Sequence, residues 1–153
     1  MSKIYRDELG VPHIMATTYV EVTKALAYVH SEDDFFTLQL WFLAIQQKAG
    51  HFDDWDGPYL DFISEFFDIK KCVSALLPQI SEEYLQLADS YCQGINKYAI
   101  EHKDDVLDYS IFPVDSNDLF QVQHLMEVIG IQIDKPYSYL DKPVSQNLPH
   151  KEG

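Results

Sequence analysis

Ile4-Tyr5-Arg6-Asp7-Glu8-Leu9-Gly10-Val11-Pro12-His13-Ile14-Met15-Ala16 is the stretch on which the fold turns. Gly10 tolerates positive φ, and Pro12 pushes Val11 toward extended backbone. Residues 4–15 are therefore predicted to form a short strand, a tight turn and a second strand. The rest of the chain up to about residue 133 reads as mostly helical. A first helix is expected over about Val20–Tyr28. Ser31-Glu32-Asp33-Asp34 reads as a second start: Ser31 can cap, Asp34 sits three residues on, and the acidic run suits a helix N-terminus. Phe35, Leu38, Phe42, Ile45 and Ala49 continue it at helical spacing, with Gly50 as the expected stop. Further helices are predicted over Tyr59–Leu77, ended by Pro78, and over the stretch capped by Ser81 and running to about His102. A last helix is expected over Leu119–Ile133, with capping candidates in Asp115–Asp118. Gly94 lies inside the helix capped by Ser81, where a glycine lets another backbone come close. Residues 51–58 and 103–115 read as loops. From Asp134 the periodicity is lost and Pro136, Pro143 and Pro149 intervene. The expected organisation is a helical domain with N-terminal strands over 1–133 and an extended tail over 134–153.

Composition limits what such a chain can do. Its 153 residues suit one domain. A net charge of −14 without a basic stripe argues against nucleic acid and anionic membranes as partners. No stretch reaches the length of a membrane span. Met1-Ser2-Lys3-Ile4 has no apolar run of the signal-peptide kind, so either the protein is cytoplasmic or a leader has been removed. Ten Tyr, nine Phe and two Trp are many for so small an interior, so a partner surface competes with the core as their destination. The segment after Ser31 adds apolar residues at Phe36, Leu40, Trp41 and Leu43, which implies burial on several sides.

The residues that usually carry chemistry do not assemble. Gly-x-Ser-x-Gly, a phosphate-cradling glycine loop and His-Glu-x-x-His are all missing. Cys72 and Cys92 have no metal spacing and sit in helical apolar contexts. Asp53, Asp54 and Asp56 lack the rhythm and closing Glu of a calcium loop and read as a solvated turn. His30, at a helix junction, suits a core or capping role better than a catalytic one. From the residues alone, the chain is an acidic helical domain that binds something.

Three segments carry a resemblance beyond this. Residues 4–16 closely resemble the opening of penicillin acylase α subunits, where Arg-Asp is followed by Gly-Val-Pro-His-Ile. Ala25-Leu26-Ala27-Tyr28-Val29-His30-Ser31-Glu32-Asp33-Asp34-Phe35-Phe36 is similar to the next block of that family, Gly-Tyr-Val-His-Ala-Glu-Asp-Arg entering a long helix with a Gln soon after. Tyr91-Cys92-Gln93-Gly94-Ile95-Asn96-Lys97-Tyr98 resembles a third block, an aromatic followed by Gly-x-Asn and another aromatic. Order and separation agree over about residues 4–120. The chain departs from the pattern at Ala27 and Gln47, both glycines in the family, at Ser31 for Ala, and at Asp34 for Arg.

The resemblance implies an αββα sandwich of the N-terminal-nucleophile (Ntn) hydrolase kind. There this chain is the mainly helical subunit, with a short β start, beside a larger β chain from the same precursor. It implies autocatalytic cleavage, with no catalytic residue in this chain and a nucleophilic N-terminal Ser on the β chain. Gly153 is then the residue ahead of the autoprocessing junction, and Ile129 and Ile133 border the substrate. The implied substrate is an N-acylated small molecule: a penicillin, an acyl-homoserine lactone or a similar amide. Antibiotic metabolism or quorum quenching are the corresponding roles. No cofactor and no metal ligand are assigned, although relatives leave room for calcium between the subunits. Relatives also imply a periplasmic or secreted protein. The rival reading is a non-enzymatic acidic helical interaction module.

Overall fold

The computed structural model describes residues 2–53 and 56–133. Two short strands, β1 (Lys3–Arg6) and β2 (Pro12–Met15), pair antiparallel with Lys3 opposite Met15 and Tyr5 opposite His13. Five α-helices come after them among the described residues: α1 (Tyr19–Ala44), α2 (Gly57–Phe66), α3 (Ile69–Leu76), α4 (Glu82–Glu101) and α5 (Ser116–Ile133). The chain is thus mainly helical with a two-stranded start, as the sequence predicts. No helix among the described residues is long and apolar enough to cross a membrane.

The centre of the molecule is the crossing of α1 and α4. A Cβ built on Gly94 would lie 2.3 Å from the Lys24 carbonyl oxygen and 2.7 Å from the Ala27 Cβ. Nothing larger than hydrogen fits there, so Gly94 sets the approach of the two helices. Phe42, Leu43, Ile95 and Leu125 fill the core from α1, α4 and α5, and Ile69 and Val73 bring α3 onto it.

Several boundaries differ from the sequence-based expectation. The predicted helices at 20–28 and 31–49 are one run, kinked at Asp34, whose backbone leaves the helical region. Ser31 is not a cap. It is buried, and its hydroxyl donates to the Ala27 carbonyl at 2.9 Å, a bond that keeps the helix going through it. Asp34 takes the capping role by accepting from the Thr37 amide at 3.2 Å. The run ends at Ala44, short of Gly50. There Gln47 adopts φ 54° and stops it, the left-handed conformation a glycine usually supplies. The predicted helix 59–77 is split into α2 and α3 by Asp68 at φ 47°, a position short polar side chains tolerate. Two expectations hold closely. Ser81 caps α4, accepting from the Tyr84 amide at 3.3 Å. Asp115 and Asp118 cap α5 reciprocally, each side chain accepting from the other's amide at 3.0 and 3.2 Å.

Candidate functional site: a positioned helix beside an apolar groove

Three side chains from the sequence motifs organise backbone. Asp7 closes the hairpin turn: one carboxylate oxygen accepts from the Leu9 and Val11 amides, both at 2.9 Å, and the other meets His13 Nε2 at 3.0 Å. The His13 hydrogen bond, followed by the Val11 amide, holds the Asp7 carboxyl below its ordinary value. Arg6 then straps the hairpin to α1. It donates to the Gly10 carbonyl at 3.0 Å and pairs with Asp33 at 2.7 Å and Glu32 at 3.1 Å. The acidic run read as a helix start is thus a docking point for the hairpin.

Gln39 and Asn96 do for the 103–115 segment what Asp7 does for the turn. Fully buried Gln39 donates to the Asp105 carbonyl at 3.0 Å and accepts from the Leu107 amide at 2.7 Å. Asn96 donates to the Val114 carbonyl at 2.8 Å and accepts from the Val114 amide at 2.9 Å. Each amide satisfies one donor and one acceptor of a segment that has no strand or long helix of its own. The second clamp sits two residues before α5, so Asn96 fixes where that helix begins. In the Gly-x-Asn motif, the glycine places α4 against α1 and the asparagine places α5 against both.

Beside α5 runs an open apolar groove of about 470 Å³. Leu38, Trp41 and Phe42 line it from α1, and Leu119, Val122 and Met126 from α5. His30 and Tyr91 also line it, the Tyr91 hydroxyl hydrogen-bonded to His30 Nδ1. His30 is exposed at this rim rather than in the core or at a cap. No Asp, Glu, Lys or Arg lines the groove.

The described residues offer no nucleophile with a base. Burial, reinforced by Asp115 and Asp89, pushes the Cys92 thiol up to about 12, so it stays protonated and inert. Exposed Cys72 donates to the Phe67 carbonyl. Ser110 does meet a lysine, with Lys48 Nζ 2.7 Å from its hydroxyl. That lysine is also ion-paired to Asp108 at 3.6 Å and is partly exposed, the opposite of the desolvated amine a Ser–Lys pair needs. Among the described residues no three His, Cys, Asp or Glu side chains converge to hold a metal.

Of the residues named from sequence, Ile129 is buried in the core, one turn beyond the half-exposed Met126 of α5. The side chain of Ile133, Gly153 and the whole 134–153 tail lie outside the described residues. The sequence points to the groove helix, but the exposed groove residues of that helix, Met126 foremost, carry no motif. Only a helical phase fixed by the caps at Asp115 and Asp118 could have singled them out.

The described residues thus hold an exposed hairpin strapped to a helical body, an α5 pinned at its start and an apolar groove beside it. The sequence matches the penicillin amidase family over residues 2–139, and the chain belongs to that family. It is 25% identical over 101 residues to acyl-homoserine lactone acylase QuiP of Pseudomonas syringae pv. tomato, and 23% identical over the same length to QuiP of Pseudomonas fluorescens. Each match takes in 66% of this chain and 12% of the relative, so the chain spans only a small part of the curated relatives it matches. The fold superposes on a thermostable penicillin G acylase from Alcaligenes faecalis with a TM-score of 0.59 at 13% identity. That match covers 100% of this chain and 98% of the solved one.

Proposed function

We propose that this chain is the smaller, α-type subunit of a self-processed Ntn amidohydrolase that cleaves the amide of an N-acylated small molecule. Its nucleophile is the N-terminal Ser of a larger chain from the same precursor. The hairpin carries the reading. Every residue of β1 is exposed, and among the described residues nothing else pairs with either strand. A lone two-stranded hairpin is marginal in water, and its open edges invite further strands. Here it is locked in place by Arg6, which suits a strand pair held ready for a larger sheet, such as the sandwich of this family. The penicillin amidase match, the QuiP relatives and the nearly complete overlap with a solved acylase chain support the same reading. Between acylated substrates, the QuiP relatives favour an acyl-homoserine lactone.

In this reading Gly153 precedes the cleavage point, Ile129 and Ile133 approach the acyl group, and calcium between the chains and export to the periplasm belong to the same proposal. The test is native purification of the full precursor product. A stoichiometric larger chain beginning with Ser, and release of free amine from acyl-homoserine lactones or penicillin G, are expected. A stable, soluble chain of this size with no companion would overturn the reading. In its favour, Gly153→Val should leave uncut precursor, because Cβ branching crowds the attacked carbonyl.

A further inference from the structure

Two helix ends of opposite polarity meet at one small cavity of about 230 Å³. Residues 45–47 at the end of α1 line it, with Ser64 and Glu65 of α2 and residues 68–70 at the start of α3. A helix C-terminus carries partial negative charge and unpaired carbonyls, an N-terminus partial positive charge and unpaired amides. The side-chain charges repeat that division, with the exposed carboxylates of Glu65 and Asp68 and the exposed ammonium of Lys70. No side chain caps α3. Asp68 stands at the capping position but makes no cap bond. Its φ of 47° takes it out of the extended conformation from which a cap reaches the first-turn amides.

Ser64 gives an independent sign of an occupant. It is only 3% exposed. Ser31, Ser74 and Ser90 each donate to the carbonyl four residues back, at 2.9, 2.7 and 2.8 Å. Ser64 does not. Its one hydrogen bond is a long one of 3.5 Å, received from Gln47 Nε2. The Ser64 hydroxyl hydrogen therefore has no acceptor among the described residues, although Ser64 lines the cavity. A buried donor left idle is costly, and a ligand oxygen would satisfy it.

We propose that this cavity binds a small zwitterion of the α-amino-acid type. The ligand carboxylate takes the first-turn amides of α3, the Ser64 hydroxyl hydrogen and the charge of Lys70. The ligand ammonium lies at the end of α1 and is held by Glu65 and Asp68. A lone cation would leave Lys70 and the α3 amides unmatched, and a lone anion would lie beside two carboxylates. A ligand with both charges answers both helix ends. The cavity is smaller than the ~300 Å³ at which pockets for drug-sized molecules begin, so a short side chain is selected. The cavity shares no lining residue with the apolar groove, and the proposal does not rest on the two-chain reading.

The experiment is calorimetric titration of the natively purified protein, with any companion chain it carries. The probes are L-alanine and, separately, acetate, methylammonium and calcium chloride. L-alanine should bind at least about 10-fold more tightly than acetate or methylammonium, each of which offers one charge. Ser64→Ala should weaken alanine binding about 10-fold, the loss of one hydrogen bond to a charged group. Without ligand, the thermal midpoint of that variant should hold or rise, because the idle hydroxyl is gone, so lost binding is not lost folding. Asp68→Asn, which keeps a residue tolerant of left-handed backbone, and Lys70→Gln should each weaken alanine binding, more so at low salt. Absence of alanine binding at tens of millimolar would overturn the proposal. Acetate binding as tight as alanine, or calcium binding tighter, would overturn it by making this a single-charge site. Unchanged alanine affinity in Ser64→Ala would overturn it by placing the binding elsewhere.

Discussion

The α1–α4 crossing and the outer side of α5 each carry a helical glycine, and they differ in what meets it. At Gly94 a Cβ would meet the chain's own backbone; at Gly130 it would meet nothing within 4 Å among the described residues. The first region is finished: Ala27, Ile95 and Cys92 are buried, and no buried side-chain polar atom among the described residues lacks a partner. The second exposes Met126 and a groove of about 470 Å³.

The sharpest way to break this contrast is at the closed glycine. Gly94→Leu forces a branched side chain into the Lys24 carbonyl, and helix separation is the only relief. A loss of about 3 kcal/mol, at the upper end for overpacking, is expected. Buried Cys92 offers a direct check, since its thiol should become reactive under native conditions in this variant while remaining silent in the parent. Unchanged Cys92 protection would mean that the crossing is not what holds α4.

Next come the clamps that carry order from the crossing to the start of α5. Asn96→Leu keeps much of the volume but strands both the Val114 amide and its carbonyl, and Val114 is buried. Each stranded group costs about 1–3 kcal/mol, so a loss of roughly 2 kcal/mol or more is expected in denaturant titration. Gln39→Leu should act similarly through Asp105 and Leu107. If Asn96 positions α5, and the proposed two-chain amidohydrolase is correct, its variant should also lower amide hydrolysis beyond what its lost stability explains, measured well below the melting midpoint. Gln39, farther along the chain from α5, should affect stability more than activity.

A smaller effect runs the other way. Gln47 holds φ 54° at the end of α1, with its side-chain amide donating to the Ile45 carbonyl at 3.3 Å. Left-handed backbone costs a non-glycine residue roughly 1–2 kcal/mol. Gln47→Gly relieves that strain but adds freedom to the unfolded chain and loses the long side-chain bonds to Ile45 and Ser64, so a net gain of no more than about 0.5 kcal/mol is expected. A decrease in thermal midpoint would show that the side chain contributes more than the strain removes.

These residues also mark how far the sequence could be read. The hairpin, the Ser81 cap, the extent of α4 and the close approach at Gly94 were legible because each depends on a local signal: a glycine turn, a capping hydroxyl, a 3.6-residue period. Asp34, Gln47 and Asp68 were not, because the helix breaks there fall on residues with no strong breaking propensity. Packing imposes them. The Arg6 strap pairs residues 26 and 27 positions apart, and the groove takes its walls from three helices, so neither has any sequence-local signature. Residues 4–16 and 91–98 pointed to the family, yet their side chains build scaffold. They could not say which face of α5 is left open, since Ile129 and Met126 lie on the same helix and differ only in phase.

The smallest expected effect is a pH response of the hairpin, and its sign follows from Asp7. Hydrogen bonds from His13 and from the Val11 and Leu9 amides favour the charged carboxylate and lower its pKa in the folded protein. A group with a depressed folded pKa contributes stability above its unfolded value, and that contribution is lost as pH falls through the folded one. The turn should therefore be fully held at neutral pH and loosen below the ordinary carboxylate range. Asp7 is solvent-facing, so the change should be confined to the hairpin and weakened by salt. Amide exchange at Leu9 and Val11 reads it directly. Both amides should lose protection on acidification relative to α4 amides, and Asp7→Asn should flatten that pH dependence. If Leu9 and Val11 respond to acid equally in Asp7→Asn and in the parent, the response comes from the Arg6 pairs with Glu32 and Asp33. The strap, rather than the turn, would then be what holds the hairpin against the body.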